Sequence, residues 1–230
     1  MKYLDPNELT SAQNELRNAW DEGGGSDIVV RGRARELFQK YAKKNSSVLD
    51  IGCGNGFFAE QLWRGGFREV FGEVFGYDAG DYVTNERKKY LREFKVGDIN
   101  LEILPWRNDF FDAVSAWQVI EHLENPHHFI REVNRVLKPG GIFFLSTPNI
   151  FNIFNRLIFL KSGDMPRWQE KNDHIALFPK GVFKKTVLKY FDLAERGFCK
   201  GELPYRFFRK FKFPENEWFG KSIYYVLRKK

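Results

Sequence analysis

Glycine occupies every second position behind an acidic residue in the segment DIGCGNG at residues 50–56. Glycine lacks a Cβ, so such a turn lets the backbone approach a ligand closely, and the free amide groups at the start of the following helix can bind it. A dinucleotide site would have its third glycine one residue later, where Phe57 stands, and would hold a pyrophosphate that the charge of Asp50 disfavours. The pattern therefore favours a cationic nucleoside without phosphates.

Alternating strands and helices must hold this turn in place. Short apolar runs typical of buried strands lie near residues 48–51, 74–77, 94–96, 111–116, 142–147, 193–198 and 222–227. Helical spacing of apolar residues occurs near 9–20, 31–44, 57–63, 126–137, 152–160 and 180–190. We therefore predict an α/β fold, a single doubly wound, mostly parallel seven-stranded sheet with helices on both faces and an antiparallel last strand.

The glycine turn and its preceding strand, VLDIGCGNG at 48–56, resemble the first motif of class I S-adenosylmethionine-dependent methyltransferases. The similarity continues in the family's order with VFGYD ending at Asp78, VGDI at 96–99 and AWQVIEHL at 116–123. The order of these segments makes the resemblance more specific than a single glycine turn.

A later stretch points to one branch of that family. REVNRVLKPGG at 131–141, followed by STPN at 146–149, is similar to the branch that contains ubiquinone-type and many small-molecule methyltransferases. The resemblance covers residues 48–149. It implies one methyltransferase domain over residues 1–230, divided into a helical cap (1–46), a cofactor-binding core (47–149), a lid or substrate insertion (150–180), and a C-terminal helix with edge strands (181–230).

The resemblance implies S-adenosylmethionine as cofactor and S-adenosylhomocysteine as its product. Asp78 would hold the ribose hydroxyls, because a carboxylate accepts two hydrogen bonds at once. Asp98 and the backbone amide of Ile99 would meet the adenine, and Trp117 and Gln118 would line the methionine end. The cofactor-binding residues implied are Asp50, Gly52, Cys53, Gly54, Gly56, Asp78, Asp98, Ile99, Trp117 and Gln118.

Two assignments stay open on the sequence. The tandem EVFG at 69–72 and 73–76 places Asp78 four residues late, whereas Glu73 stands at the family's more usual separation from Asp50; Asp78 is favoured for the ribose. An arginine ahead of the glycine turn often meets the cofactor carboxylate in this branch. Arg31 and Arg33 both stand near enough, but surface ion pairs explain them better.

A general base would help if the methyl acceptor is a hydroxyl group, and His122 and His174 are the candidates. For each, a structural role is the competing interpretation. The histidines have no HExxH-type spacing, and Cys53 and Cys199 form no ligand pair, so no bound metal is predicted.

The leading functional hypothesis is methyl transfer to a small-molecule acceptor, O- or C-directed, that is partly apolar or anionic. Residues 151–230 hold 18 Lys and Arg against eight Asp and Glu, and basic and aromatic residues alternate over 206–213. This supports an alternative, a methyltransferase acting on RNA or protein. A non-catalytic protein that binds the cofactor and a nicotinamide-dependent oxidoreductase are further alternatives.

The sequence has no segment with the form of a signal peptide and no apolar run long enough to span a bilayer. Its two cysteines fit a reducing compartment. We therefore expect a cytoplasmic location. The oligomeric state is not specified by any of these features.

Overall fold

A computed structural model describes residues 33–65, 71–169, 173–201 and 213–230. The predicted helix near 9–20, Arg31, the first copy of the EVFG tandem up to residue 70, and residues 206–212 of the basic and aromatic stretch lie outside these ranges. The helices are α1 (Arg35–Tyr41), α2 (Phe57–Arg64), α3 (Asn85–Lys88), α4 (Pro126–Val136), α5 (Ile153–Ser162) and α6 (Lys180–Thr186). The strands are β1 (Ser46–Ile51), β2 (Phe71–Asp78), β3 (Glu93–Val96), β4 (Phe111–Trp117), β5 (Leu137–Pro148), β6 (Phe191–Gly201) and β7 (Gly220–Lys229).

The strands form one seven-stranded sheet in the order β3-β2-β1-β4-β5-β7-β6. Neighbouring strands from β3 to β5 pair in parallel, whereas β7 is antiparallel to both β5 and β6. This confirms the predicted mostly parallel sheet with an antiparallel last strand. The order reverses direction next to β1, and in such sheets ligands bind at this reversal, beyond the carboxyl ends of the strands.

Helices cover both faces of the sheet, as a parallel sheet requires. On one face, α1 and α2 pack Phe38, Phe58 and Leu62 against apolar residues of the strands such as Val48 and Phe144. On the other face, α4 and α6 bury their apolar residues against the remaining strand side chains, including Phe129, Ile130, Val133, Phe183, Leu49, Val114 and Phe143. The period of two in each strand explains why successive residues belong to opposite faces.

The helix predicted to reach Lys44 ends at Tyr41. Two further predicted helix ends also come too late. The helix that begins at Pro126 ends at Val136, because Leu137 already has extended backbone and pairs with Phe111 as the first residue of β5. The helix that begins at Lys180 ends at Thr186, since the next four residues form the turn that leads into β6. In both places the apolar spacing continues past the end of the helix, because the residues that follow, Leu137 and Val187, are also buried in the core.

The carboxyl ends of the central strands lie side by side. Ile51 pairs with both Tyr77 and Ala116, Asp78 pairs with Val96, and Trp117 pairs with Ser146. The residues that follow β1, β2, β3 and β4 therefore meet at one edge of the sheet. Among the described helices, none has the length and apolar character needed to cross a membrane.

Candidate functional site

The glycine turn joins β1 to α2 through left-handed backbone at Gly52, Gly54 and Gly56, with φ of 70°, 51° and 81°. Only glycine adopts such angles readily. Gly52 is also crowded, because a Cβ there would lie 2.5 Å from Cγ2 of Val119 in the segment after β4. A Cβ on Gly54 would meet nothing within 4 Å, so this position borders open space.

Asp78 holds the glycine turn from the end of β2. Its Oδ2 accepts a hydrogen bond from the Gly54 amide at 2.7 Å, and its Oδ1 accepts one from Ala79 at 2.8 Å. Glu73 lies near the start of β2, where it pairs in the sheet with Ser47, and its exposed carboxylate forms an ion pair with Arg92. Of the two candidates for the ribose, only Asp78 therefore lies beside the turn.

Asp50 is buried, with 2% of its surface exposed, and its Oδ1 accepts a hydrogen bond of 2.7 Å from Ser115 Oγ on β4. Burial raises the pKa of this carboxyl to about 8, the Ser115 hydrogen bond opposes the rise, and the nearby charge of Asp78 adds to it. Two carboxyl groups thus stand at the base of the turn. A cation placed there would favour their ionised forms.

Cys53, inside the turn, is also buried. Its sulfur lies close to β2, since a Cβ on Gly76 would come within 3.0 Å of it. Burial, followed by the charges of Asp50 and Asp78, raises the pKa of this thiol far above its usual range, so it remains protonated. The cysteine serves as a small apolar residue that lets the turn pack on β2.

Asp98 follows β3 and faces the same edge of the sheet. Its Oδ1 accepts hydrogen bonds from the backbone and side-chain nitrogens of Asn100, both at 2.9 Å, whereas its buried Oδ2 has no hydrogen-bond partner in the part of the chain that the structure describes. A buried oxygen without a donor is costly, and a ligand amino group would satisfy it. Ile99 beside it is 7% exposed and belongs to the core. The unpaired oxygen and the glycine turn together fit a nucleoside with an exocyclic amino group.

Trp117, the last residue of β4, and Gln118, which follows it, have different surroundings. Trp117 is 3% exposed and packs against Phe58 and Phe144 in the core. Gln118 has a φ of 57°, unusual for a residue with a side chain, and both its backbone N and its Nε2 donate to Ser146 Oγ. Strained backbone of this kind persists where the surroundings enforce it and is common at functional sites.

His122 lies in the 3₁₀ turn Ile120–His122 that follows β4. Its Nδ1 is 3.0 Å from Asp173 Oδ2, close enough for an ion pair although no described residue forms an aligned hydrogen bond with this nitrogen, and its side chain is 30% exposed. Burial opposes protonation of His122, but Asp173 and Glu121 outweigh it and raise its pKa. The His174 ring lies 4.6 Å from the His122 ring and 5.2 Å from the Trp168 ring. The structure thus brings the two predicted base candidates into contact.

Glu121 is the buried acid of this cluster and was not singled out in the sequence. Its side chain is 0% exposed, and neither carboxylate oxygen has a hydrogen-bond partner among the described residues. Burial raises its pKa to about 7, while the charges of His122 and Arg167 oppose the rise. One ligand-type atom from each of Glu121, His122 and His174 lies within 4.8 Å of the others. Local spacing could not reveal this group, and the absence of a bound metal remains a prediction.

Arg33 forms ion pairs with Glu36 and Glu215, each at 2.7 Å. This agrees with the surface ion pairs expected for it.

This chain resembles known methyltransferases in sequence and in fold. A family model described as a methyltransferase domain matches residues 28–190. The ubiquinone biosynthesis O-methyltransferase of Coxiella burnetii is 23% identical over 219 residues, which cover 83% of this chain and 91% of the relative. A protein of Mycolicibacterium smegmatis named as an S-adenosylmethionine-dependent methyltransferase is 35% identical over 138 residues, covering 58% of this chain and 49% of the relative. The crystal structure of a SAM-dependent methyltransferase from Archaeoglobus fulgidus shares the fold, with a TM-score of 0.60 at 17% identity over 96% of this chain and 99% of that one.

Proposed function

The chain belongs to the class I S-adenosylmethionine-dependent methyltransferases, and we propose that it methylates a hydroxyl oxygen of a small, partly apolar molecule. The family and the cofactor inferred from the sequence are confirmed. The alternative hypothesis of a nicotinamide-dependent oxidoreductase is therefore excluded. The observation that carries the proposal is the position of His122, on the turn whose first residues contact the glycine turn. Val119 lies against Gly52, and the His122 amide donates to the Val119 carbonyl at 3.0 Å.

The described residues offer a partner to each part of the cofactor. Asp78 would accept from the ribose hydroxyls, the unpaired Oδ2 of Asp98 would accept from the adenine amino group, and Gln118 would lie near the methionine end. When bound, S-adenosylmethionine supplies a methyl group already activated by its positive sulfur. The protein then has to align the acceptor oxygen with that methyl group and exclude water.

His122 would act as the general base on the acceptor side. Its imidazole would take the proton of the acceptor O–H while the acceptor oxygen takes up the methyl group that the bound cofactor would supply. An imidazole is a modest base, so it removes a proton efficiently only from a fairly acidic hydroxyl. We therefore expect a phenolic or enolic acceptor instead of an aliphatic alcohol.

Exposed apolar side chains lie in the segment that docks on the turn of His122. Ile175 and Leu177 stand one and three residues after His174 and are 55% and 39% exposed. The indole of Trp168 packs on His174 and donates from Nε1 to the Ala176 carbonyl at 3.0 Å. Exposed apolar groups beside a base suit an acceptor that carries an apolar substituent. The O-methyltransferase name of the Coxiella relative supports the same class of reaction.

The test is a methylation assay with S-adenosylmethionine and a panel of phenols, enols, aliphatic alcohols and amines, each with and without an apolar substituent. Mass spectrometry follows the gain of one methyl group. We expect O-methylated phenols or enols, product formation lost in Asp78→Ala, and retention of activity in Glu73→Ala, which removes a carboxylate from the same strand. Methylation confined to amines, to carbon or to RNA, or cofactor binding without any turnover, would contradict the proposal.

A further inference from the structure

The segment after Asp173 is fixed to the turn that carries His122. The amides of Ile175 and Ala176 both donate to the Glu121 carbonyl, at 2.8 and 2.9 Å. These two bonds join the lid region to the end of β4 and bring the Asp173 carboxylate to 3.0 Å from His122 Nδ1. An acid and an imidazole from distant parts of the chain thereby meet at the site.

We propose that Asp173 is a positioning residue for methyl transfer, which fixes the ring and the tautomer of His122 when the segment 173–179 docks on the turn after β4. This inference rests on the proposed function, because it takes His122 as the base. It adds that the base is complete only when the lid residues are in place.

Electrostatics explain how the carboxylate acts. A negative oxygen next to Nδ1 favours a proton on that nitrogen, so Nε2 is left to accept the proton of the acceptor. The imidazolium formed during transfer is then stabilised by Asp173 on one side and by the buried Glu121 next to it in the chain. His122 in turn lowers the pKa of Asp173 against the effect of burial, so Asp173 remains ionised.

The remaining charged groups around His122 do not replace Asp173. Burial, followed by the charge of His122, lowers the pKa of His174 to about 4, so this ring is neutral near pH 7 but a much weaker base than His122. Arg167 acts on Glu121 and His174, opposing protonation of both. Glu121 also raises the pKa of His122, but Asp173 contributes more. Of the two base candidates, His122 is therefore the base, and His174 packs against its ring.

The experiment compares Asp173→Asn with Asp164→Asn, an exposed acid of the same lid region, in the full chain. Nitrogen-15 NMR follows the ring of His122 through a pH titration in each protein, with His122→Asn used to assign the signal. In Asp173→Asn we expect the pKa of His122 to fall and the population of the Nδ1-protonated tautomer to decrease. Once an acceptor has been identified, the kcat of Asp173→Asn should be about tenfold lower than that of the wild type, and the acidic limb of its pH profile should move to lower pH. Asp164→Asn should match the wild type in both measurements.

The NMR arm needs no acceptor, so it tests the role of Asp173 even if the proposed reaction is wrong. An unchanged titration of His122 in a folded Asp173→Asn variant would overturn the inference. So would a loss of kcat without a shift of the pH profile, which is the signature of a purely structural role. Stoichiometric binding of Mg²⁺ or Zn²⁺ that displaces the His122 signals and is required for turnover would also overturn it, because the cluster would then hold a cation.

Discussion

The glycine turn and the His122 cluster lie at the same edge of the sheet, but they are assembled differently. The turn is seven consecutive residues, three of which have left-handed backbone that favours glycine, and one carboxylate from the adjacent strand closes it. The cluster joins a 3₁₀ turn after β4 to a segment of the lid region through two backbone hydrogen bonds and one ion pair. The glycine turn is held by local contacts, whereas the His122 cluster depends on docking of the lid segment. We infer that cofactor binding is built into the core and that the base depends on the lid.

The largest effect is expected for Asp78→Ala. Loss of a carboxylate that would accept two ribose hydrogen bonds should weaken S-adenosylhomocysteine binding about 100-fold, since each bond to a charged group is worth about 1.5–3 kcal/mol. Isothermal titration calorimetry measures this directly. Glu73→Ala is the matched control, because its carboxylate lies near the other end of the strand, and its affinity should equal that of the wild type.

Substitutions of Gly52 and Gly54 separate the effect of side-chain crowding from that of backbone strain within the glycine turn. Gly52→Ala must place a Cβ within 2.5 Å of Val119 at a φ of 70°, whereas Gly54→Ala has a φ of 51° and open space. We expect the free energy of unfolding to fall by about 3 kcal/mol for Gly52→Ala and by about 1 kcal/mol for Gly54→Ala. Urea denaturation measures both. Equal losses would mean that the turn is looser than its contacts indicate.

The buried carboxyl group of Asp50, below the glycine turn, should make the stability of the protein depend on pH. The pKa of Asp50 rises from an ordinary 3.8 to about 8, so the folded state binds this proton more tightly than the unfolded state does. The contribution of the group to stability is therefore complete below about pH 4 and is lost as the pH rises to about 8. Asp50→Asn should remove that loss and raise the melting temperature relative to the wild type by about 3 °C at pH 9.

Asp112 provides a control, because its effect on the pH dependence of stability has the opposite sign. Burial opposes its ionisation, but Lys138 and Ser47 outweigh burial and lower its pKa, so its contribution to stability is present above its ordinary pKa. Asp112→Asn should therefore lower the melting temperature at pH 6 and pH 9 alike. A melting temperature of Asp50→Asn that follows the wild type at both pH values would show that Asp50 is ionised in the folded protein.

The smallest effect is expected in the lid. Trp168→Phe removes the Nε1 hydrogen bond to the Ala176 carbonyl and so weakens docking by about 1 kcal/mol. The KM for the acceptor should rise about fivefold, corresponding to that energy, while the affinity for S-adenosylhomocysteine stays unchanged. Steady-state kinetics and calorimetry measure the two effects. A parallel loss of cofactor affinity would show that the two regions are not independent.

The difference in assembly also explains how much the sequence could predict. The glycine turn, the seven strands and the contacts of Asp98 follow from consecutive residues, so the fold was predictable, whereas the cofactor-binding roles stay predictions. Choosing Asp78 over Glu73 required the register of β2 against β1, which the duplicated EVFG segment obscures. Glu121 and Asp173 were missed as members of the His122 cluster, because no local pattern reveals that the lid hydrogen-bonds to the turn after β4. Trp117 was predicted from family position alone, and its side chain lies in the core.

The most direct measurement is a crystal structure of the protein with S-adenosylhomocysteine. The account predicts the ribose hydroxyls on the Asp78 carboxylate, the adenine amino group on Oδ2 of Asp98, and the homocysteine end directed towards Gln118 and the His122 turn. A nucleoside bound elsewhere, or bound here with its ribose away from Asp78, would contradict it.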